Sequence, residues 1–575
     1  MPVLIMYAYY IRNMMDDVLI SNLPPVLLRS ALRTLISQGA AAQRPFVEHI
    51  RTQLLESPPA FTDATVLFPP GNDGLVTQEC VRYIASTRCL FSSKLAKAAL
   101  PYLAHFVNCL REARARWVPG DDLDRVLGQV SGDIVQAIQA LKESRPEATS
   151  ALFDDLQGLL TGFEAISSYC SSATPQALGY PFTRAERQVR DVISFLHPEA
   201  ATSPPSSRAT NIISVRAEKR RVDIETFQLG PHCMPRVFNG LWQLSSPAWG
   251  SASVESQEAA LAELVELGLS TADMADHYGD AELIYGDFRS RLPADMRDAV
   301  HAATKWCVFG PSGQPVTTQY VLQAVKERSR RLGGRVELLQ FHWHDYSSKE
   351  YLDILVELVR ITQTHPELVS AIGLCNFDAR HTEEACKYLV EKTGLVGLVS
   401  NQVQFSLVDS RPLQHVSAVC EKYGVKLLTY GSLCGGFISP KWLGQPAPEL
   451  YSETSRLTPS QRKYFDMVQT WGSWPEFQAL LGTLSSVAEK HGEGISLTNV
   501  ASRWVLQQLA VGAVIVGNRL GVSSHAVENL NIFRFKLGQD DMAAINKVAL
   551  GEGGHKTRAV LENLGDCGNE YRAMH

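Results

Sequence analysis

The chain has 575 residues, with 54 lysines and arginines against 60 aspartates and glutamates, a formal net charge of −6. Hydrophobic residues make up 45% and charged residues 20% of the sequence, which is ordinary for a globular protein and excludes wholesale disorder. The charge balance also excludes a strong basic field that would hold nucleic acid or an anionic membrane. At this length we expect three to four domains, or two if one of them is a large barrel.

The cysteines and the N-terminal residues indicate the compartment. The longest apolar stretch near the start, residues 1–11, is too short to span a bilayer and lacks the layout of a signal peptide. The 11 cysteines are scattered, form no C-x-x-C pair and are odd in number. This pattern favours reduced thiols over a disulfide framework or a zinc site. We therefore expect a cytoplasmic protein that needs no metal.

Helical periodicity dominates residues 1–196, which we predict to form an all-α domain. Apolar residues recur there at steps of three and four along residues 27–36, 123–141 and 152–166. The polar residues of this region form no recognisable catalytic set, so its function is unknown. Residues 197–210 are rich in Pro, Ser, Ala and Thr and have no apolar period, which predicts a linker that we extend over 197–224.

After the linker, short β-branched runs alternate with helical ones. The predicted strands are residues 237–241, 269–274, 300–305, 336–341, 369–374, 398–403, 426–428 and 513–516. The predicted helices between them are residues 255–267, 319–332, 349–364, 379–392 and 412–423. Eight strands with helical crossovers over about 330 residues predict a (β/α)8 TIM barrel, the α/β part of the fold. We place this barrel at residues 225–560 and a C-terminal tail at residues 561–575.

The seventh and eighth strands are about 80 residues apart, which is far longer than a barrel loop requires. The excess is rich in aromatic residues: Trp442, Tyr464, Phe465, Trp471, Trp474 and Phe477. Two interpretations remain open at this point. The aromatic residues form a small satellite core, or they form a lid or wall over the mouth of the barrel.

Polar side chains stand where three successive predicted strands end. Asp273 ends the second strand, Lys305 the third and His342 the fourth. Tyr278 follows Asp273 by five residues, in the loop. Barrel enzymes carry their reactive groups at the carboxyl ends of the strands, and a lysine that ends an apolar strand needs a carboxylate partner such as Asp273. Each residue also has a structural alternative, in the same order a helix cap, a snorkelling chain, a core histidine and a packed aromatic.

These residue types together can protonate a carbonyl oxygen. Free tyrosine titrates near about 10, and an ammonium about 4 Å away at an effective dielectric near 20 is worth roughly 4 kcal/mol, or about three pKa units toward the phenolate. We expect Lys305 to lower the pKa of Tyr278 in this way. Asp273 would hold Lys305 charged and partly offset that shift, and His342 would orient the carbonyl. The set indicates general acid catalysis with hydride supplied by a nicotinamide.

In their order and spacing, Asp273, Tyr278, Lys305 and His342 resemble the catalytic tetrad of the aldo-keto reductases. Other stretches resemble the same family: residues 239–243, 373–377, 400–405, 430–433, 516–519 and 528–529. The resemblance covers residues 225–550 and none of the N-terminal domain. It implies a barrel oxidoreductase that binds a nicotinamide dinucleotide. No Gly-x-Gly-x-x-Gly loop is present in the sequence, which counts against a Rossmann dehydrogenase.

The resemblance also implies a cofactor site. It assigns the nicotinamide carboxamide to Asn376 and Gln402 and the stacking on the nicotinamide ring to Tyr430. The pyrophosphate would follow the backbone of Gly431, Ser432 and Leu433. At the other end, Arg519 beside Gly517 would bind the 2′-phosphate, and Glu528 and Asn529 would contact the adenine. A guanidinium is a fork of donors that suits a phosphate, so Arg519 favours NADPH over NADH. A solvated surface arginine is the alternative interpretation of this residue.

The sequence departs from the family pattern at three positions. Cys375 stands where a serine is usual, so one hydrogen bond to the carboxamide is weakened or lost. His525 takes the place of a second arginine that many relatives have, and Glu337 replaces a common aspartate. A further competitor is His344, which strand alternation places on the same face as His342.

We therefore expect an NADP-dependent oxidoreductase that reduces a small-molecule aldehyde or ketone to an alcohol, or runs in reverse. The residues expected to line the substrate pocket are Trp242, Trp306, Trp343 and Phe405, with ordinary barrel packing as the alternative. A second hypothesis is a catalytically weak regulatory protein that senses the bound cofactor. Its helical domain would then be an interaction surface for a protein partner.

Overall fold

A computed structural model describes residues 19–71, 73–144, 146–173, 178–197, 212–215, 223–245, 249–250, 252–310, 313, 315–451 and 457–572. The apolar stretch at residues 1–11 and most of the expected linker at 197–224 lie outside the described residues. The described part contains a helical domain and a closed barrel, which confirms the predicted fold class.

The helical domain has helices throughout its described residues, as the apolar periodicity predicts. Its helices are Pro25–Ile36 (α1), Ala40–Glu56 (α2), Ala64–Leu67 (α3), Gln78–Ser92 (α4), Ala96–Glu112 (α5), Asp122–Glu143 (α6), Ser150–Ser172 (α7) and Thr183–Leu196 (α8). Side-chain caps fix two of the starts: Asp121 accepts from the backbone of Asp124, and Thr149 accepts from the backbone of Leu152. The stripes of α6 and α7 are buried in the domain core.

The first apolar stripe behaves differently from the other two. It does form α1, but no residue of this helix is buried. Leu27 is 54% exposed and Leu35 is 52% exposed. Periodicity identifies a helix here because it reports an amphipathic face, but the tertiary structure decides whether that face is covered.

An antiparallel hairpin closes the bottom of the barrel. Its strands are Thr226–Leu229 (β1) and His232–Pro235 (β2), which the sequence interpretation did not include. Leu229 and Met234 are buried in a small core with inward-facing residues from the start of the barrel strands. Phe227 lies over Gly512, where the ring leaves no room for a Cβ. The hairpin therefore plugs the end opposite to the strand carboxyl ends.

All eight predicted barrel strands are present. They are Val237–Gly240 (β3), Thr271–Asp273 (β4), His301–Val308 (β5), Leu338–Trp343 (β6), Ile372–Cys375 (β7), Leu398–Gln404 (β8), Lys426–Tyr430 (β9) and Val511–Gly517 (β10). They pair in parallel in the order β10-β3-β4-β5-β6-β7-β8-β9 and close into a barrel. Parallel pairing brings the carboxyl ends of β3 to β10 to one rim, where the expected site residues stand.

Helices surround the barrel and extend beyond it. They are Val254–Glu266 (α9), Ala281–Ser290 (α10), Ala294–Arg297 (α11), Thr318–Arg331 (α12), Glu350–Thr364 (α13), Ala379–Thr393 (α14), Val416–Tyr423 (α15), Pro459–Trp471 (α16), Trp474–Lys490 (α17), Leu497–Leu506 (α18), Ala526–Leu530 (α19), Gln539–Ala549 (α20), His555–Leu564 (α21) and Asn569–Arg572 (α22). The five predicted helices correspond to α9, α12, α13, α14 and α15. None of the helices in the described residues is long and apolar enough to cross a membrane.

The long connection between β9 and β10 satisfies both interpretations of its aromatic residues. Most of them pack on one another, as in the contacts of Trp474 with Phe465 and with Phe477 at centroid distances of 5.7 and 5.3 Å. That part is a satellite core under α16 and α17. At the start of α16, Tyr464 instead lies against Gly431 at the rim of the barrel, where its hydroxyl would be 2.6 Å from an added Cβ. The same helix therefore supplies a wall of the mouth.

The segment expected to be a tail after residue 560 is part of the folded structure as far as Arg572. It completes α21, turns at Gly565 and ends in α22. Arg411 holds the turn by donating to the backbone of Gly565 at 3.1 Å and to Glu570 at 3.0 Å. Because Arg411 follows β8, this clamp brings the C-terminal residues to the carboxyl rim of the barrel.

Candidate active site at the carboxyl rim of the barrel

A buried ion pair joins the end of β4 to Lys305, which lies inside β5, three residues before that strand ends. Lys305 Nζ lies 2.6 Å from Asp273 Oδ2 and donates to the carbonyl of Met274 at 2.8 Å. Both side chains are nearly inaccessible to solvent. Burial alone would lower the pKa of Lys305, but Asp273 reverses this effect and raises the pKa above its ordinary value. Lys305 therefore carries a fixed positive charge, as its position at the end of an apolar strand predicts.

Tyr278 lies beside this charge. Its ring centroid is 4.9 Å from Lys305 Nζ, and the ring of His277 contacts it edge-on at 4.8 Å. Tyr278 is held by the loop after β4, whose backbone turns at Ala275 and at Gly279. Asp273, Tyr278 and Lys305 are thus brought together from two strands and one loop.

The expected lowering of the tyrosine pKa is wrong in sign for this structure. Burial raises the pKa of Tyr278 above its ordinary value, and this effect exceeds the opposing effect of the Lys305 ammonium. The nearby Asp273 carboxylate adds to the increase. The sequence argument counted the ammonium but not the loss of solvation, which depends on the folded environment. Tyr278 is therefore a firmly protonated phenol.

Two buried glutamines orient Asp273 from below. Gln340 and Gln402 each donate to Asp273 Oδ1, at 2.8 and 2.7 Å, and Gln402 also donates to Gln340 Oε1 at 2.7 Å. The amide nitrogen of Gln402 thus donates to Asp273 in this structure, whereas the resemblance assigns Gln402 to the nicotinamide carboxamide. Sequence reasoning missed Gln340. Its signal was available, because Gln340 precedes His342 by two residues and therefore shares its inward face.

His342 and Asn376 lie side by side at the ends of β6 and β7. Their side-chain nitrogens, Nε2 and Nδ2, are 3.4 Å apart, and Asn376 Oδ1 accepts from the hydroxyl of Tyr430 at 2.8 Å. Asn376 has a φ of +58°, a conformation that favours asparagine among residues with a Cβ. The structure thereby joins three of the expected residues, His342, Asn376 and Tyr430, in one contact chain.

His344 does not compete for this place. It lies just beyond the end of β6, and its Nδ1 contacts the backbone carbonyl of Val308 at 2.7 Å. Cys375 lies in the strand wall beside Asn376, and burial raises the pKa of its thiol to about 12. The thiol therefore stays protonated and is a weak donor where a serine is usual in the family.

The C-terminal segment covers the same end of the site. Tyr571 lies 6.1 Å from the ring of His342, and Lys463 of α16 donates to its hydroxyl. Arg572 donates to the backbone carbonyl of Asn376 at 2.9 Å and to Asp378 at 3.3 Å. No motif in the sequence identifies these residues, since their place depends on the clamp that Arg411 provides.

The residues assigned to the far end of the cofactor stand on and after β10. Arg519 is half-buried and lines a small cavity of about 10 Å³ together with Gln243 and Arg184 of the helical domain. Gln243 also lies next to Gly517, with its Nε2 3.3 Å from the position of an added Cβ. Among the described residues, Gln243 Oε1 has no hydrogen-bond partner although it is buried. The Arg519 guanidinium and the unsatisfied oxygen of Gln243 are groups that can bind a phosphate-bearing ligand, for which the cavity would have to widen.

The other assigned residues lie between and beyond these two ends. The side-chain oxygen of Ser432 is buried and has no partner within the described part of the chain, whereas the neighbouring Gly431 and Leu433 are half-exposed. Glu528 is exposed and pairs with His525 at 2.9 Å. Asn529 is half-buried in α19. The residues present therefore fit a dinucleotide that runs from Tyr430 to Arg519, provided that Tyr571 moves away from Tyr430.

Three of the four expected substrate-lining residues point away from the site. Trp306 and Trp343 follow the inward-facing Lys305 and His342 by one position, so the alternation of β5 and β6 turns them outward. Trp306 contacts Tyr320 of α12 at 5.7 Å, and Trp343 is 1% exposed among core side chains. Phe405 likewise packs on Trp504 at 5.8 Å, under α18. The alternative of ordinary barrel packing is therefore correct for these three residues.

Trp242 keeps its place at the mouth. It lies in the short 3₁₀ helix Trp242–Ser245 after β3 and is half-buried. Its ring is 4.9 Å from that of Trp249 and 5.9 Å from Lys463 Nζ. Lys463 also contacts Tyr571, so Trp242, unlike the other three expected substrate residues, lies beside the groups at the mouth of the barrel.

One group among the described residues has the geometry to hold a metal ion. The ligand atoms of Asp276, His277 and Cys307 lie within 4.8 Å of one another. Arg328 already forms an ion pair with Asp276, and this contact lowers the pKa of the carboxyl against the effect of burial. Because a guanidinium competes for this carboxylate, the group is explained as a buried ion pair behind the loop of Tyr278.

Comparisons with known proteins identify the family. The family model of the aldo/keto reductases matches residues 236–550. The chain is 30% identical to flagellar radial spoke protein 5 of Chlamydomonas reinhardtii over 211 residues, which is 34% of this chain and about a third (36%) of that protein. It is 25% identical to a chloroplastic pyridoxal reductase of Arabidopsis thaliana over 349 residues, 59% of this chain and 88% of that protein.

A solved structure is also similar to part of this chain. It is a glycerol dehydrogenase from Gluconobacter oxydans, with 23% sequence identity and a TM-score of 0.43, and the match covers 56% of this chain and 94% of that one. The family model does not extend into the helical domain, since its match begins at residue 236.

Proposed function

The chain belongs to the aldo/keto reductase family, and on this premise we propose that it is an NADPH-dependent reductase of aldehydes or ketones. Its activity as an oxidoreductase on carbonyl compounds follows from the family; the choice of cofactor and the roles of single residues are our proposal. The observation that carries it is the buried contact of Lys305 with Asp273 beside the ring of Tyr278.

In the proposed reaction, Tyr278 donates the proton that its hydroxyl carries to the oxygen of the substrate carbonyl. Lys305 stabilises the phenolate left behind, and Asp273 keeps the ammonium charged and in place. His342 orients the carbonyl oxygen through Nε2. A bound nicotinamide supplies the hydride that reaches the carbonyl carbon. The balance is one hydride and one proton added to the C=O bond, which gives an alcohol.

The preference for NADPH rests on Arg519. A guanidinium beside a buried, unsatisfied polar atom of Gln243 favours a ligand with an additional phosphate at this end. Asn376, Tyr430 and Ser432 would hold the nicotinamide end and the pyrophosphate. Gln402 supports Asp273 in the present arrangement, so it would have to give up one hydrogen bond in order to bind the carboxamide.

The substrate class proposed is a small aldehyde or ketone with an apolar or aromatic group. Trp242 supports this choice from the mouth of the site, and the similarity to a pyridoxal reductase supports an aldehyde. The compartment proposed is the cytoplasm, because all eleven cysteines are free thiols in the structure.

A second candidate function is a cofactor-binding sensor with little turnover. It is favoured by the contact of Tyr571 with Tyr430 and His342, which closes the site in this structure. A relative named as a radial spoke protein, for a flagellar structure rather than a reaction, agrees with this candidate. The two candidates differ in whether the bound cofactor is consumed.

The experiment that tests the proposal follows NADPH oxidation by the purified full-length protein with a panel of aldehydes and ketones. We expect turnover that falls at least about a hundredfold in Tyr278→Phe, while this variant binds NADPH as the wild type does. The matched control is Tyr388→Phe, which changes a phenol on the outer surface of α14. Retained turnover in Tyr278→Phe overturns the assignment of the acid. Tight NADPH binding with no turnover on any carbonyl favours the sensor.

A further inference from the structure

The helical domain lies directly against the loop that carries Tyr278. Gly279, the next residue, offers its carbonyl to Gln188 of α8 at 3.4 Å. Gly279 has a φ of +59°, and an added Cβ would meet Val135 of α6 at 3.0 Å. The loop therefore has two contacts with the helical domain within one residue of the proposed acid, and side chains of two different helices make them.

A buried ion pair joins the two domains at the following residue. Arg184 of α8 contacts both carboxylate oxygens of Asp280, at 2.9 and 2.6 Å, and Asp280 is fully buried. The same guanidinium donates to the backbone carbonyl of Leu244 at 3.1 Å. One side chain of the helical domain thus connects the loops that follow β3 and β4. A carboxylate buried in this way requires its partner.

A second set of buried charges continues from the helical domain toward Lys305. Asp191 of α8 pairs with Arg331 of α12 at 3.4 Å and also contacts Arg330. Arg331 pairs in turn with Glu282 of α10 at 2.7 Å. Glu282 accepts from the hydroxyl of Thr304, the residue before Lys305. These contacts form one continuous chain from Asp191 to Thr304, and both carboxylates in it, Asp191 and Glu282, are buried.

These contacts differ from those of a domain that is only attached by a linker. Interfaces between independent domains are polar and tolerate relative motion. Here two buried carboxylates pair across the boundary: Asp280 with Arg184, and Asp191 with Arg331. Both carboxylates are more than nine-tenths buried. Separation of the two domains would deprive Asp280 of its guanidinium partner. The geometry therefore favours one rigid unit.

We infer that the helical domain positions the loop of Tyr278, and that Arg184 and Gln188 are positioning residues for the acid of the reductase. Gln188 touches neither substrate nor cofactor in this assignment, and Arg184 also lines the cavity beside Arg519. Both act on the loop of Tyr278, Gln188 through the backbone of Gly279 and Arg184 through Asp280. A displacement of the acid by about 1 Å is worth as much as a hundredfold in rate. This inference rests on the proposed function for its kinetic consequence but not for its structural one.

The test compares variants of the full-length protein. Arg184→Gln removes the cation that pairs with Asp280, and Arg184→Lys restores the charge without the two-pronged contact. The matched control is Arg190→Gln, which breaks ion pairs of the same helix with Glu186 and Glu164 inside the helical domain. Gln188→Leu is the second test variant, because it leaves no unpaired buried charge.

We expect Arg184→Gln and Gln188→Leu to lower kcat about tenfold to a hundredfold. In Gln188→Leu, which lies outside the cavity of Arg519, the dissociation constant for NADPH should change less than about twofold. Arg184→Lys should recover part of the loss, and Arg190→Gln should match the wild type. Hydrogen–deuterium exchange of residues 274–286 should be faster in the two test variants. If Arg184 and Gln188 had a purely structural role, then at equal folded fraction residues 274–286 of the variants would exchange at the wild-type rate. The ratio of kcat to KM would also keep its wild-type value.

Two outcomes overturn the inference. One is wild-type kcat and wild-type exchange of residues 274–286 in Gln188→Leu. The other is a loss of kcat in Arg190→Gln equal to that in Arg184→Gln, since it would reflect general damage to the helical domain. Absence of turnover in the wild type would instead refute the proposed function. In that case the exchange measurement alone still decides whether the helical domain holds the loop.

Discussion

The ring of Tyr571 lies against that of Tyr430, at a centroid distance of 6.4 Å and an interplanar angle of 72°. Tyr430 is the residue on which we propose that a nicotinamide ring stacks, so the C-terminal segment lies against the place proposed for the cofactor. Lys463 and Arg572 hold the segment there, the first through the hydroxyl of Tyr571 and the second through the backbone of Asn376. Binding of the cofactor therefore competes with an internal contact.

Removal of that ring should tighten cofactor binding. We expect Tyr571→Ala to lower the dissociation constant for NADPH by about three- to tenfold, because the free protein no longer holds a closed form that must open first. Quenching of intrinsic fluorescence during a titration with NADPH measures this change. Tyr571→Phe is the control, since it keeps the ring and loses the contact with Lys463. Weaker binding in Tyr571→Ala would make Tyr571 a part of the cofactor site.

The pH dependence of the reaction should follow the raised pKa of Tyr278. Because burial keeps the phenol protonated, kcat for carbonyl reduction should stay level from about pH 6 to about pH 9. Alcohol oxidation needs the phenolate, so its rate should rise with pH over the same range. Steady-state rates in both directions at saturating cofactor measure this. A fall in the reduction rate with a midpoint near neutrality would show that Lys305 dominates over burial.

The cofactor preference should depend on Arg519. We expect Arg519→Gln to weaken NADPH binding by about ten- to a hundredfold and to leave NADH binding nearly unchanged, since only the 2′-phosphate needs the guanidinium. Titrations with both cofactors measure the ratio. Arg534→Gln is the matched control, because this arginine is exposed and donates to Asn531 beyond the site. Equal weakening for NADPH and NADH would place Arg519 against another part of the dinucleotide.

The base of the barrel should make the protein sensitive to acid. Burial lowers the pKa of His301 to about 4, and His232 lies 5.4 Å from its ring. The folded state therefore disfavours the imidazolium form of His301. The contribution of His301 to the free energy of unfolding is complete above the unfolded pKa of about 6.5 and is lost as the pH falls toward about 4. From these values His301 accounts for a loss of up to about 3 kcal/mol in the free energy of unfolding.

Chemical denaturation at neutral pH and at about pH 4.5 measures this loss. His301→Gln should reduce the difference between the two conditions, because it removes the group that takes up the proton. His49→Gln, at an exposed position of α2, is the control and should keep the wild-type difference. The same acid sensitivity in His301→Gln as in the wild type would assign it to other groups.

Much of the barrel could be predicted from the sequence because strand and helix periods are local properties. Each of the eight strands was predicted within a few residues of its observed bounds. Asp273 and His342 lie at or next to the ends of their strands, whereas β5 continues for three residues beyond Lys305. The hairpin β1–β2 was missed because it stands outside the repeated succession of strands and helices by which the barrel strands were identified.

The errors about the site have one common physical reason. Trp306 and Trp343 were chosen by residue type, although the alternation that turns Lys305 and His342 inward turns them outward. The pKa of Tyr278 was judged from the nearest charge, although burial has the larger effect. In both cases the residue was judged without regard to its neighbours in the folded protein. Gln340, on the inward face of β6, could have been found by the same alternation.

The sequence by itself determined the order of the elements and which residue types end each strand, because both depend on spacing along the chain. Only the tertiary structure decided that Arg184 of the helical domain reaches Asp280 and that Tyr571 reaches Tyr430. These pairs are 96 and 141 positions apart, and no local period links them. They form because buried charges and rings must find partners where the folded chain brings them, and that place is a property of the whole fold.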